Sequence, residues 1–366
     1  MIAFLTDTHF GRKHFSKKIF EEDIEYYEKE FFPFLIKNKI KTVIHLGDFV
    51  HNRNFQDTYI TQNLKEKFLS FFEDNNINFH VLVGNHDSYF KNTIDYSFQK
   101  TYFQGYKNIF YYNEVTELKV DGYNFYLVPW IVDEKGFTFP DPKKIDVLVG
   151  HFEIENAPMF GTYQSKGGLS YSSFDPYKLT LSGHFHKHSR KKNVVYLGTN
   201  RQHNWGEFGD KKGFWYLDNN LKLKLKENKT SPKHLKITYL EDEDKKIKLE
   251  LDGIGKKKEI SLDECGKHAQ KNYIKFIIKS AKNQEILEKY FDKVSNNSLE
   301  KVELINENEI IEDFDVDGFT DKIDSSELEI MDITNKFVSS LEFDDRIDKT
   351  ILLSKIMNIY NTTTDL

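Results

Sequence analysis

Seven side chains suited to binding a divalent cation recur in this 366-residue chain at one kind of place, directly after a short apolar run. Asp7-Thr8-His9 follows Ile2-Ala3-Phe4-Leu5, and Gly47-Asp48, with His51 three residues on, follows Val43-Ile44-His45-Leu46. Gly84-Asn85-His86-Asp87 follows Phe79-His80-Val81-Leu82-Val83. Gly150-His151 follows Asp146-Val147-Leu148-Val149, and Gly183-His184-Phe185-His186 follows Leu179-Thr180-Leu181-Ser182. Such runs read as buried strands, and strand ends are where open α/β sheets bind ligands. Any one cluster reads equally well as a turn, because Gly and Asn tolerate positive φ and Asp accepts backbone hydrogen bonds. It is the ordered recurrence that points to a site. The other histidines, His14, His45, His80, His188, His203, His234 and His268, lack this patterned company.

The set contains carboxylates, imidazoles and one carboxamide but no thiolate. Cys265 is the single cysteine, so neither an intramolecular disulfide nor a cysteine zinc cluster is available, which suits a reducing cytosol. Mixed oxygen and nitrogen donors suit Mn²⁺, Fe²⁺ or Zn²⁺ better than Ca²⁺. Seven donors exceed one four-coordinate site. Two cations about 3.5–4 Å apart, bridged by a carboxylate, would use them all and form a clamp for in-line displacement at phosphorus.

In that order the clusters resemble the signature of calcineurin-like metallophosphoesterases. Within that superfamily the chain is similar to SbcD-type nucleases of double-strand-break repair, including the recombination endonuclease subunits of T-even-like bacteriophages. The resemblance extends through Val128-Pro129-Trp130, Leu197-Gly198-Thr199 and Gly213-Phe214-Trp215. It implies that Asp7, His9 and His186 hold a first metal, that Asn85, His151 and His184 hold a second, and that Asp48 bridges them. It further implies two divalent ions, Mn²⁺ foremost, and DNA as substrate. His86 becomes the acid that protonates the leaving 3′ oxygen, a task for which histidine titrates in the right range. His51 matches a second, non-ligating histidine near the substrate phosphate. An SbcC-type coiled-coil ATPase partner and a homodimer are implied as well.

Several neighbours have two readings. Asp87 either orients His86 or caps a turn. Arg12, Lys13, Arg53 and the basic run 187–192 either meet a DNA backbone or are solvated. Tyr89, Phe90, Tyr163, Tyr171 and Trp205 either stack on unpaired bases or pack in loops. A phosphomonoesterase or protein phosphatase of the same superfamily is the competing enzyme. Against it, Phe49-Val50-His51-Asn52 replaces the Asp-Arg-Gly typical of protein phosphatases, and Asp87 stands where they have Glu. A non-catalytic scaffold would be expected to have lost ligands, and all seven are present.

The elements that must position these clusters alternate. Strands are expected at 2–6, 42–46 and 78–83, with amphipathic helices at 19–38 and 58–73 between them. That βαβαβ pattern implies a right-handed parallel sheet. Strands follow at 109–112, 115–120 and 123–128, the last two joined by an Asp121-Gly122 hairpin signal. Others lie near Val147, Leu181, Val195 and Phe214 and at 221–225. The expected class is α/β, two stacked mixed β-sheets flanked by helices in the metallophosphoesterase αββα sandwich, over residues 1–227. A polar Pro-containing stretch, 228–233, marks a boundary. A small α+β capping domain is expected at 235–310, with strands 235–240, 246–251, 272–278 and 301–305 and a helix 284–294. A C-terminal helix pair is expected at 325–361, its aliphatic faces packing on the small domain or gripping the ATPase.

The net charge of −6 excludes a globally basic nucleic-acid binder but not a local basic patch. With 15% aromatic residues and 7 prolines, the chain can fill an ordered core. No stretch approaches the about 18 apolar residues of a membrane span. The N-terminal residues lack a basic segment and a long apolar segment, so a soluble cytoplasmic protein is expected, in a host cytoplasm if viral.

Overall fold

The computed structural model describes residues 1–159 and 163–306; the expected helix pair at 325–361 and the end of the expected small domain lie outside these residues. Strands β1 (Ile2–Leu5), β2 (Thr42–His45), β3 (Asn78–Leu82), β4 (Ile109–Tyr112), β5 (Thr116–Val120) and β6 (Tyr123–Val128) come first. Then follow β7 (Val147–Gly150), β8 (Thr180–Ser182), β9 (Ser189–Lys191), β10 (Val194–Tyr196), β11 (Gly213–Leu217) and β12 (Leu223–Glu227). The last are β13 (His234–Glu241), β14 (Ile247–Asp252), β15 (Lys258–Ile260), β16 (Tyr273–Ser280) and β17 (Glu303–Asn306). They form three mixed sheets, ordered β12-β11-β1-β2-β3-β4, β5-β6-β7-β8-β10-β9 and β15-β14-β13-β16-β17.

The apolar runs are uninterrupted because both faces of the first two sheets are covered, as in parallel sheets generally. In β1, Ile2 and Phe4 face the second sheet, where they meet Phe125, Val147 and Leu181 beside Trp215 of the neighbouring strand β11. Ala3 and Leu5 face the other way, into a core built with Phe20, Ile24, Tyr27, Phe31 and Phe68 from the helices. The outer face of the second sheet buries Leu148, Phe152, Phe174 and Tyr196.

The two expected helices are each interrupted by a π-helical turn. The first runs Lys17–Tyr26, widens over Tyr27–Phe31 and resumes as Phe32–Lys37. Pro33 has no N–H for the carbonyl four residues back, and the helix changes register just before it. The second runs Thr58–Asn63, widens over Leu64–Leu69 and ends as Ser70–Asp74. The widened turns carry Tyr27 and Phe68, whose rings meet edge to face at 4.7 Å. The Asp121-Gly122 hairpin forms as expected, both residues at positive φ between Val120 and Tyr123.

The third sheet has its own core of Leu235, Ile237, Leu249, Phe276, Leu287 and Val294. Strand β15 and the helix Leu262–Ala269 were not anticipated, although Ser261 and Glu264 form the reciprocal capping box that Ser-x-x-Glu spells. The polar stretch at 228–233 is an anchored turn rather than a loose linker. Buried Asn228 accepts from the amides of Thr230 (3.0 Å) and Ser231 (2.9 Å) and donates to the Asn200 carbonyl (2.9 Å).

His45, at the end of β2, is fully buried. Its Nδ1 accepts from the Gly47 amide (3.2 Å), so its Nε2 carries the hydrogen and faces Thr8 Oγ1 (3.1 Å), which in turn donates to the Phe49 carbonyl (2.8 Å). Burial, reinforced by His151 and partly offset by Asp48, pushes its pKa down to about 3. An unfolded histidine binds protons from near pH 6.5 downward while the folded one does not. This contribution to stability is therefore complete above that pH and is lost as pH falls toward 3, by roughly 1.4 kcal/mol per pH unit. Urea unfolding between pH 7 and 4 should show a shallower acid decline for His45→Gln than for the wild type; equal slopes would show that this imidazole is not held neutral.

Candidate metal centre

All five clusters project from the same end of parallel strands. Asp7 and His9 follow β1, Asp48 follows β2, Asn85 and His86 follow β3, His151 follows β7, and His184 and His186 follow β8. The loops are tied crosswise by backbone hydrogen bonds, Asp7 to Gly47 (3.1 Å), His9 to Asp48 (3.1 Å) and Gly183 to Gly150 (3.0 Å). Asp7, His9, Asp48 and His184 all adopt positive φ, at 49°, 44°, 55° and 85°. Non-glycine residues in that region store strain of order 1 kcal/mol or more each, characteristic of functional loops.

Ligand atoms of Asp7, His9 and His186 converge within 4.8 Å of one another, as do those of Asp48, His151 and His184. Asn85 Oδ1 joins the second group, 3.0 Å from His151 Nε2 and 3.1 Å from His184 Nδ1. Asp48 lies between the groups. Its Oδ1 accepts from the His86 amide (2.8 Å), while its Oδ2 is 3.6 Å from His9 Nε2 and 3.4 Å from His151 Nε2. Asp7 accepts from the His184 amide (3.1 Å) and from the Thr6 hydroxyl.

The outer ring nitrogens identify the tautomers. His151 Nδ1 faces the Leu46 carbonyl (2.7 Å), His186 Nδ1 the Glu207 carboxylate (2.9 Å) and His86 Nδ1 the His51 carbonyl (2.9 Å). Each partner only accepts, so each Nδ1 carries a hydrogen and each Nε2 is turned to the site. His186 Nε2 is then a lone pair 3.0 Å from His9 Nε2, while His9 Nδ1 faces His51 Nδ1 at 3.4 Å. Imidazole nitrogens, carboxylates and a carboxamide oxygen converging in this way form a donor set that fits divalent cations.

Burial would lower the His151 imidazole, but Asp48 and Asp7 outweigh it and lift it to about 9, so before a cation binds this ring supplies positive charge to the site. Burial would lift the Asp48 carboxyl, but His151, His86 and His184 outweigh it and hold it well below the usual carboxylate range. Burial lifts Asp7 to about 7, with Asp48 adding and His151 opposing. Burial and neighbouring imidazoles push His9 and His184 well down, leaving their lone pairs available.

A family model for calcineurin-like phosphoesterases matches residues 1–188. The chain belongs to the calcineurin-like phosphoesterase family. It is 32% identical over 189 residues to Exonuclease subunit 1 of Enterobacteria phage T4, a match that covers 50% of this chain and spans only 54% of that relative's length. Among solved structures, an archaeal phosphodiesterase is similar at 16% identity and a TM-score of 0.32, covering 62% of this chain and 98% of its own. The GAP50 anchor in the inner membrane complex of Plasmodium is similar at 13% identity and a TM-score of 0.29, covering 83% and 95%.

All seven candidate ligands of this family member are thus drawn together, and the rings of His51 and His86 stack beside them, 5.6 Å apart. The orienting role expected for Asp87 is not what it does. Its carboxylate accepts from the amides of Phe49 (2.8 Å), Val50 (3.0 Å) and Gly84 (2.8 Å), joining the second and third loops, and the His86 ring is held by the His51 carbonyl instead. Arg12 is not a DNA contact: it is 4% exposed, paired with Asp23 (2.7 Å) and donating to the Thr8 carbonyl (3.1 Å). In the basic run, Lys191 lies over the Tyr171 ring and Lys192 pairs with Asp175. Trp205 packs against His234, whereas Tyr89 and Phe90 are exposed and touch each other. Sequence reasoning missed His45, Glu207 and His203, whose ring lies 5.1 Å from that of His186. None follows an apolar run with a patterned partner.

Gly84 is required by close approach: a Cβ there would lie 2.2 Å from Asp48 Oδ1 and 2.3 Å from the Asp48 amide. Gly84→Ala should displace the Asp48 carboxylate and weaken divalent-cation binding, with about 1–3 kcal/mol lost from stability. Isothermal titration beside thermal melting would check this, and unchanged cation affinity would count against Asp48 as the shared ligand.

Proposed function

We propose that the chain is a Mn²⁺-dependent DNA phosphodiesterase with exonuclease and endonuclease action. The observation that carries this is the buried Asp48 carboxylate lying between two converging donor groups, one of Asp7, His9 and His186, the other of Asn85, His151 and His184. The phage relative, named as an exonuclease subunit, supports a nucleic acid as the substrate. In this reading Asp7, His9 and His186 would hold one cation, Asn85, His151 and His184 would hold a second, and Asp48 would serve both. When bound, the pair supplies neutralisation of charge developing on the phosphoryl oxygens and acidifies the attacking water.

The chain's own residues do the rest. Hydrogen bonds from Nδ1 of His86, His151 and His186 hold those three imidazoles in place before substrate arrives, which limits reorganisation during reaction. His86 is fixed through its Nδ1–H to the His51 carbonyl; as the imidazolium it gives the second proton, on Nε2, to the leaving 3′ oxygen and is left as the neutral Nδ1–H imidazole. His51, stacked on it, faces the substrate phosphate. Residues 1–227 form the catalytic domain and the third sheet the capping domain. An SbcC-type ATPase controls access to DNA, and the protein works as a homodimer in a cytoplasm.

With linear and hairpin DNA, with and without a coiled-coil ATPase from the same genome, cleavage should rise with Mn²⁺. Asp48→Ala should abolish both Mn²⁺ binding and cleavage. His86→Asn should keep Mn²⁺ binding while slowing cleavage by roughly 10²–10⁴-fold. Full cleavage by Asp48→Ala would overturn the site, and hydrolysis of a small phosphomonoester without DNA cleavage would make the protein a phosphomonoesterase.

A further inference from the structure

A carboxylate and an ammonium are buried together directly behind His186. Glu207 sits on the short 3₁₀ turn Trp205–Glu207, which Asn204 caps through the Gly206 amide (2.9 Å). Glu207 is 1% exposed and Lys212 is 7% exposed, with 2.8 Å between Lys212 Nζ and Glu207 Oε2. That oxygen also accepts from Thr199 Oγ1 (3.1 Å) and the His203 amide (3.2 Å). Lys212 Nζ in addition donates to the His186 carbonyl (2.7 Å) and lies 3.5 Å from Asp210. One ion pair therefore grips His186 twice, its ring through Glu207 Oε1 and its backbone through Lys212.

Removing two charges from water is expensive, and a buried pair of this kind is seldom the most stable way to fill a core. Its recovery here is geometric. An imidazole ligates through a deprotonated nitrogen, and which nitrogen that is follows from the hydrogen bond made by the other. Glu207, an acceptor only, obliges His186 to carry its hydrogen on Nδ1 and to present Nε2 toward His9 Nε2, 3.0 Å away. Ligand atoms of His186, His203 and Glu207 also fall within 4.8 Å of one another, so this group has to be weighed as a cation site in its own right. Lys212 decides against that, because its ammonium already supplies the positive charge Glu207 needs and would repel a cation placed there.

We propose that Glu207, held by Lys212, is a positioning residue that sets the tautomer and direction of His186 and thereby the affinity of the first cation position. This rests on the reading of His186 as a ligand. The consequence is selective: the position served by Asp7, His9 and His186 depends on Glu207, whereas the position served by Asn85, His151 and His184 does not.

The test uses the full chain labelled with ¹⁵N-histidine. Ring ¹H–¹⁵N correlation spectra before metal addition should show His186 as the Nδ1–H tautomer. Mn²⁺ titration followed by the signal of the free ion should then resolve two bound ions. In Glu207→Gln the side-chain amide can donate to Nδ1, so the tautomer signature should change and one of the two affinities should fall by about 10–100-fold while the other stays. Should that variant not fold, Glu207→Asp keeps the charge but withdraws the oxygens by one methylene, and it should show the same selective loss. A folded variant with the wild-type tautomer and both affinities intact would overturn the proposal, as would equal weakening of both positions. A wild-type protein that binds no Mn²⁺, yet whose His186 tautomer changes in the variant, would sink the metal reading and leave the action of Glu207 on the ring standing.

Discussion

Lone pairs repel, and this molecule brings a crowd of them together in a place that water barely reaches. Two carboxylates, four imidazoles and a carboxamide oxygen face one another at hydrogen-bond or near hydrogen-bond spacing, and Asp7, Asp48 and His151 are almost entirely buried. Apart from the attraction between Asp48 and His151, 3.4 Å apart, the arrangement is not self-stabilising. The surrounding structure has to hold the donors against their mutual repulsion until positive charge, a proton or a cation, is shared among them.

It does so from three sides. From below, the two sheets stack through Phe4, Ile44, Leu82, Val149 and Leu181, so the strand ends that launch the loops cannot separate without opening an apolar core. From the flanks, the loops are tied to one another rather than only to their own strands. Asp87 binds amides of the second and third loops, and the Thr8–His45–Gly47 chain binds the first to the second. From behind, acceptors receive the outer imidazole hydrogens, two of them backbone carbonyls and one the carboxylate of Glu207. The strain of four site residues at positive φ is sustained because so many independent contacts determine the same backbone path.

The same reasoning explains where residues around the site were legible and where they were not. The ligand set could be read because each member follows a buried strand, and burial writes itself into the sequence as an apolar run. Arg12 read as a cation beside an active-site loop, but Asp23, eleven residues on, turns it inward; only the packing of the first helix against the loop reveals the pair. Asp87 stands next to His86 in sequence, yet successive side chains at a turn diverge, and its carboxylate found backbone amides instead. His45 looked like an ordinary strand residue with no patterned partner, although it lies between two of the metal loops. Glu207 carries no local mark at all, since its meaning depends on a histidine 21 residues earlier and a lysine five residues later that the chain's path brings to either side of it.

Local order in the chain was enough to determine the kinds of ligand atom, their distribution over five strand ends, the alternation of strand and helix, and hence membership of a two-sheet phosphoesterase scaffold. These follow from short-range regularities: an apolar run needs burial on both faces, and a helix needs its stripe of aromatic residues. Which nitrogen of each imidazole faces inward, which oxygen of Asp48 lies between the two groups, and which buried charge supports which ring were decided only by tertiary structure. Those are matters of a few tenths of an ångström between residues far apart in the chain, and hydrogen-bond direction is set by whatever atom the fold places at the other end.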